Sequence, residues 1–247
     1  MLTKVLCCDE NISMKQRILV WAQPTRVFHW SLALNFLGAY VTGDSERWRD
    51  VHVLFGYSVL GLIAFRLVWG FVGPRYVRFG LLVRCADFVI HYLAQLVKGQ
   101  ALHPVGHNPA GTIAILLLLV LGIASGVSGW AVYEEIGGYW LENVHEYTSN
   151  AMLTVVFVHI SWVLVTSCLQ GENLILAMIT GRKHREAGQA ISSSYPLIAG
   201  LLLASLIGFW IGAWPDYRDE TWLREIVQGF KWSFCINHSS TPPGKQR

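Results

Sequence analysis

Five stretches of this sequence are apolar over enough residues, or nearly enough, to cross a lipid bilayer as helices, and that feature leaves few folds open. A hydrocarbon core about 30 Å thick needs about 20 predominantly apolar residues in helical form. Such windows run from about residue 27 to 42, 53 to 72, 110 to 133, 147 to 168 and 195 to 214. The first is the shortest and contains His29 and Asn35, so it suits a bilayer only if those groups face protein or a cofactor. Backbone groups in lipid must be satisfied within their own segment. The expected fold class is therefore an all-α integral membrane protein, a four-helix transmembrane bundle plus a fifth, C-terminal transmembrane helix. Charged residues make up only 14% of the chain, against roughly 25% in soluble domains, which leaves too few for an ordinary water-facing surface. The formal net charge of +3 is too small to point to nucleic acid.

Lys and Arg set the expected orientation. With the N-terminus in the cytoplasm, the inner segments hold Lys4, Lys15, Arg17, Arg26, Arg75, Arg78, Arg84, Lys98, Arg182, Lys183 and Arg185. The short outer loops hold Arg47 and Arg49, and residues 134–146 carry Glu134, Glu135, Glu142 and Glu146 without a base. Five spans then leave the C-terminus in the periplasm. Arg84, Asp87, His91, Gln95 and Lys98 form one polar stripe, which predicts an amphipathic interfacial helix near 81–98. The expected organisation is a cytoplasmic tail (1–16), the four-helix domain (17–185), the fifth helix (186–214), and a periplasmic amphipathic segment with a disordered tail (215–247). Cys7, Cys8, Cys85, Cys168 and Cys235 show no CxxC or CxxCH spacing, so neither a zinc ribbon nor a covalently attached haem is indicated. Residues 1–20 do not read as a cleavable signal sequence.

Histidines inside apolar spans carry most of the functional information, because ionisable groups are rare there. His145 and His159 are separated by fourteen residues, almost four helical turns, so both face one side about 21 Å apart. His29 lies near the inner end of the first span, at the expected depth of His159. His52 opens the second span, at the depth of His145. Two depth-matched pairs result, His29 with His159 and His52 with His145, and paired neutral imidazoles in a helical bundle suit bis-histidyl ligation of two b-type haems. Arg66 follows His52 by fourteen residues and would meet a haem propionate at the inner depth, or else snorkel to the interface. His107 precedes the third span and is a candidate contact for a propionate or a quinone, with a solvated, capped loop as the plainer alternative. Gly38, Gly56, Gly61, Gly122, Gly126 and Gly129 would admit a flat macrocycle or a neighbouring helix. Two other functions fit the same residues: a histidine-dependent transporter for metal or haem, and a membrane anchor subunit of a redox complex. No catalytic acid–base or nucleophile constellation is evident.

Several segments together resemble the bacterial cytochrome b561 and nickel-iron hydrogenase cytochrome b family. They are Arg26-Val27-Phe28-His29-Trp30 with Thr42-Gly43, the run from Phe65 to Pro74, Gly106 to Gly111, and Glu172-Asn173 leading to Ala177 through Lys183. The likeness spans about residues 17 to 185, and Ser31 departs from the aliphatic residue usual in the family. It implies a di-haem membrane cytochrome b of the respiratory chain in the bacterial inner membrane. Such a protein passes electrons between the quinone pool and a periplasmic redox partner such as a c-type cytochrome. The haem ligands would fall on His29, His52, His145 and His159.

Overall fold

The computed structural model describes residues 16–79, 109–185 and 189–213. The expected N-terminal tail, the interfacial helix near 81–98, His107 and the segment after Ala213 lie outside the described residues. Strand β1 (Gln16–Leu19) leads into helix α1 (Gln23–Thr42), a short 3-10 turn (Glu46–Trp48) and helix α2 (Arg49–Val72). Helices α3 (Pro109–Tyr133), α4 (Trp140–Gln170) and α5 (Leu174–Thr180), strand β2 (Arg182–Arg185) and helix α6 (Pro196–Ala213) follow.

Helices α1 to α4 cover their apolar windows and extend beyond them, since continuing a helix satisfies backbone groups that would otherwise be stranded at the interface, while α6 fills all but the end residues of its window. Helix α4 runs for 31 residues, about 46 Å, well over the thickness of a hydrocarbon core. Local chemistry sets the ends. Pro24 sits in the first turn of α1, where its missing N–H costs nothing. Gly73, followed by Pro74, stops α2. Gly171 closes α4 in the left-handed conformation, and the Asn173 side chain accepts from the Leu176 N–H to start α5.

Among the described residues, four stretches are long and apolar enough to cross a membrane: Glu46–Val72, Gly111–Tyr133, Trp140–Gln170 and Pro196–Ala213. Helix α1 is long enough, but Gln23, Arg26, His29 and Asn35 keep it out of that set. It is held by protein contacts, against α2 along one side and α6 along another. Helices α3 and α4 form the second main pair, and α2 packs on α3 to join the pairs. The Tyr40 hydroxyl lies 3.1 Å from Asn150 Oδ1, linking α1 to α4, and Ser125 and Ser149 meet at 2.7 Å between α3 and α4. Trp210 Nε1 donates to Ser58 Oγ at 2.9 Å and ties α6 to α2. Leu34, Leu37, Val68, Phe71, Val120, Phe157, Leu201 and Ile211 are exposed, as residues facing lipid would be.

An antiparallel ribbon closes one end of the bundle, with Arg17 opposite His184 and Leu19 opposite Arg182. It brings the entry of α1 to the exit of α4, over a core of Ile18, Val20, Trp21, Trp69, Tyr76 and Val77. Gly181 turns the chain into this ribbon at φ 78°, and its carbonyl accepts from the N–H groups of Val20 and Trp21. A Cβ there would lie 2.7 Å from the Trp21 carbonyl oxygen as well as forcing a left-handed alanine. Gly181→Ala is therefore expected to destabilise the protein by about 1–3 kcal/mol, read as a lower thermal midpoint in detergent. We call this the ribbon end; the opposite, loop end carries the 3-10 turn and the α3–α4 connection.

Candidate functional site

At the loop end, His52 sits in the first turn of α2 and His145 in the second turn of α4, and the bundle brings their ring centres to 6.0 Å with planes at 89°. His52 Nδ1 lies 2.8 Å from the Ala39 carbonyl oxygen of α1, and His145 Nδ1 lies 2.8 Å from the Ser125 carbonyl oxygen of α3. A carbonyl only accepts, so each Nδ1 carries the proton and each Nε2 presents its lone pair. Fixing one ring nitrogen by a backbone acceptor and freeing the other is how proteins aim a metal-binding imidazole.

Beside this pair lies a cavity of about 480 Å³, lined by His52, His145, Gly56, Tyr57, Gly129 and Trp130. Gly56 faces open space, with nothing within 4 Å of where a Cβ would be. Gly129 abuts the His145 ring: a Cβ there would lie 2.7 Å from His145 Cε1. Gly126 and Gly122 differ again, because their missing side chains are replaced by Leu60 and Ile63 of α2. Of the glycines singled out in the sequence, those at 38 and 122 serve helix packing, with Gly38 taking up Phe55, Gly126 packs on Leu60 at the cavity wall, and Gly56 and Gly129 border the cavity.

Toward the ribbon end, His29 of α1 and His159 of α4 lie close enough to interact electrostatically. Both Nδ1 atoms are shut off from solvent without a hydrogen-bond partner. Arg66 is only 4% exposed; its Nη2 donates to the Val77 carbonyl at 3.2 Å, its guanidinium lies 5.0 Å from the Phe79 ring centre, and its Nη1 has no partner. Orphaned buried polar groups are costly and uncommon, so three of them in this part of the bundle need a reason. Among the described residues, no three His, Cys, Asp or Glu side chains converge on a point. The imidazoles come in pairs.

The chemistry of the donors fits haem. With metal–nitrogen bonds of about 2 Å, two imidazoles on opposite sides of one ion place their ring centres about 6 Å apart, and the loop-end pair is spaced that way. The cavity and the open face of Gly56 supply room for a macrocycle at the loop end, and Arg66 Nη1, without a partner, supplies a cation for an acidic side group toward the ribbon end. Sequence reasoning missed the carbonyl acceptors at Ala39 and Ser125, because a backbone group across a helix interface leaves no mark on residue type. It missed the ribbon too, whose two four-residue strands are more than 160 positions apart.

A helical membrane bundle with inward-facing paired imidazoles has the build of a membrane cytochrome b. The chain belongs to the prokaryotic cytochrome b561 family, whose profile matches residues 20–181. It is also similar to proteins named "Probable Ni/Fe-hydrogenase B-type cytochrome subunit". The one from Rhodobacter capsulatus is 22% identical over 220 residues, covering 70% of this chain and 84% of that protein. The one from Rhizobium leguminosarum bv. viciae is 23% identical over 219 residues, covering 70% and 92%. The one from Azotobacter chroococcum mcd 1 is 27% identical over 166 residues, covering 55% and 68%. No solved structure matches the chain significantly. The protein is thus a haem-binding b-type cytochrome of membrane electron transfer, integral to the inner membrane.

Proposed function

We propose that the chain is a di-haem electron carrier, with His52 and His145 holding one b-type haem at the loop end and His29 and His159 holding a second toward the ribbon end. The observation that carries this reading is the loop-end pair: two imidazoles 6.0 Å apart, each with Nδ1 tied to a backbone carbonyl, beside a cavity. Bound haem supplies a one-electron ferric/ferrous couple. The chain's own residues orient the axial nitrogens, keep water from the pairs, and set their separation through α4. Arg66 offers Nη1 to a propionate of the ribbon-end haem, and His107, which precedes α3 in the sequence, is a candidate contact for a propionate or a quinone. Two imidazoles holding each haem would suit electron transfer better than oxygen binding.

In this reading α1 crosses the membrane as a fifth span, its polar groups turned to the haems and to α2. The ribbon end, rich in Arg and Lys, faces the cytoplasm, and α6 ends in the periplasm. The names of its relatives point to a redox-enzyme partner of the hydrogenase kind. Electrons pass between that partner, or a c-type cytochrome, and membrane quinone. Purified protein is expected to bind two haems per chain and show sharp b-type bands after dithionite reduction. Haem content near one, or no b-type spectrum, would overturn the di-haem assignment.

A further inference from the structure

We propose that the ribbon end binds one anionic phospholipid of the adjoining leaflet, with Arg17 and Arg182 taking the phosphate headgroup and the outward face of α5 taking the acyl chains. Helix α5 supplies the apolar half. Its sequence Leu-Ile-Leu-Ala-Met-Ile-Thr holds no charge, Ala177 is buried, and Met178 packs on the core beneath the ribbon. Ile175, Leu176 and Ile179 share the other face by their spacing of three and four, and all three are exposed. Seven residues make a helix about 10 Å long, too short to span a bilayer. An outward apolar face of that length, at the exit of α4, belongs at the interface with its side chains among the upper acyl carbons.

The ribbon supplies the charged half. Side chains alternate between the two faces of a strand, so Ile18 and Lys183, which lie opposite one another, share the face turned to the core, and both are buried. Arg17, Arg182 and His184 share the outer face and are exposed. Arg17 and Arg182 stand on a diagonal of that face, roughly 7–8 Å apart at the backbone, a gap that two guanidinium side chains close around one phosphate. Other arginines at this end bond to protein: Arg75 to the Tyr76 hydroxyl and Arg78 to the Gly73 carbonyl. Among the described residues Glu172 is the one acidic side chain at this end, and its Oε1 accepts from the His184 N–H. The outer face therefore carries net positive charge beside exposed apolar side chains, the pairing that an anionic headgroup above acyl chains complements.

Arg26 joins the two halves. Its Nη1 donates to the Ile179 carbonyl at 2.6 Å, and its Nε lies against Gly181, where a Cβ would come within 3.1 Å. The contact holds the end of α5 to the start of α1, with Arg182 three residues beyond Ile179. Headgroup and chain contacts thus come from one short, braced stretch.

The test uses the purified, haem-loaded full chain, stripped of lipid in an uncharged detergent and then given dioleoylphosphatidylglycerol, dioleoylphosphatidylethanolamine or inorganic phosphate. Bound lipid is counted by native mass spectrometry, and the thermal midpoint is read alongside. Phosphatidylglycerol should stay bound at one per chain and raise the midpoint, while phosphatidylethanolamine and phosphate do neither. Arg182→Gln, at an exposed position, should weaken phosphatidylglycerol binding about fivefold, and Arg17→Gln combined with it about twenty-five-fold. Ile179→Ser should weaken binding with the charge unchanged, and Arg47→Gln at the loop end should leave it as it was. Haem content equal to that of the unaltered chain shows that each variant is folded. Equal retention of the two phospholipids, unchanged binding in the ribbon variants, or an equal loss from Arg47→Gln would overturn the proposal. A midpoint raised as much by inorganic phosphate would also overturn it, since the site would then hold an anion without a lipid.

Discussion

On the proposed di-haem assignment, replacing His145 with alanine is expected to leave a protein carrying one haem of the two, with the reduced b-type absorption per chain falling to about half. The expectation follows from how α4 divides its work. His145 and His159 share one face of the helix about 21 Å apart, so each serves a different partner, His52 on α2 and His29 on α1. Removing one imidazole leaves the other pair untouched. The fold should survive, because α4 is anchored along its length by α3 and its Ser125–Ser149 contact is independent of the ring. The direct structural cost is the void beside Gly129 and one hydrogen bond, together about 1–3 kcal/mol. His159→Ala should give the complementary protein with the loop-end haem retained. Loss of both haems from either variant would mean that the positions fill together, and loss of neither would remove the histidine from the ligand set.

Gly56→Leu is expected to lose the loop-end haem without losing the fold. No atom lies within 4 Å of a Cβ at this position and the residue borders the cavity, so a leucine has space in the empty protein and occupies room that a macrocycle needs. Gly122→Ala, at a glycine that does not border the cavity, should do the reverse. Its Cβ would run into Ile63 where α2 and α3 pack, so it should cost about 1–3 kcal/mol of stability, while the folded protein keeps its haem content. Haem-to-protein ratio and thermal midpoint, measured together on both variants, separate the two effects. If Gly56→Leu keeps two haems, the cavity is not where the macrocycle lies.

Much of the frame was legible beforehand because lipid simplifies the problem. An apolar run of about 20 residues has one stable conformation in a bilayer, so the spans beginning near residues 53, 110, 147 and 195 correspond to α2, α3, α4 and α6 with shifts of a few residues at their ends. Alternating direction then followed from counting crossings, and depth matching of His52 with His145 followed from direction. Helix α1 was the hard case for a definite reason. His29 and Asn35 lower its hydropathy, and what makes it acceptable is contact with α2 and α6, which a window along the chain does not contain.

What the sequence by itself determined is the class of architecture and the place of each histidine along its helix, since both depend on spacing along single helices and on the rule that a backbone in lipid must bond to itself. Tertiary structure decided which nitrogen His52 and His145 present, which glycines are packing surfaces and which open onto a cavity, and that a ribbon joins residues 16–19 to 182–185. Those are properties of atoms from different helices meeting in space. A carbonyl at Ala39 or Ser125 becomes a partner for histidine only once α1 lies beside α2, and α3 beside α4.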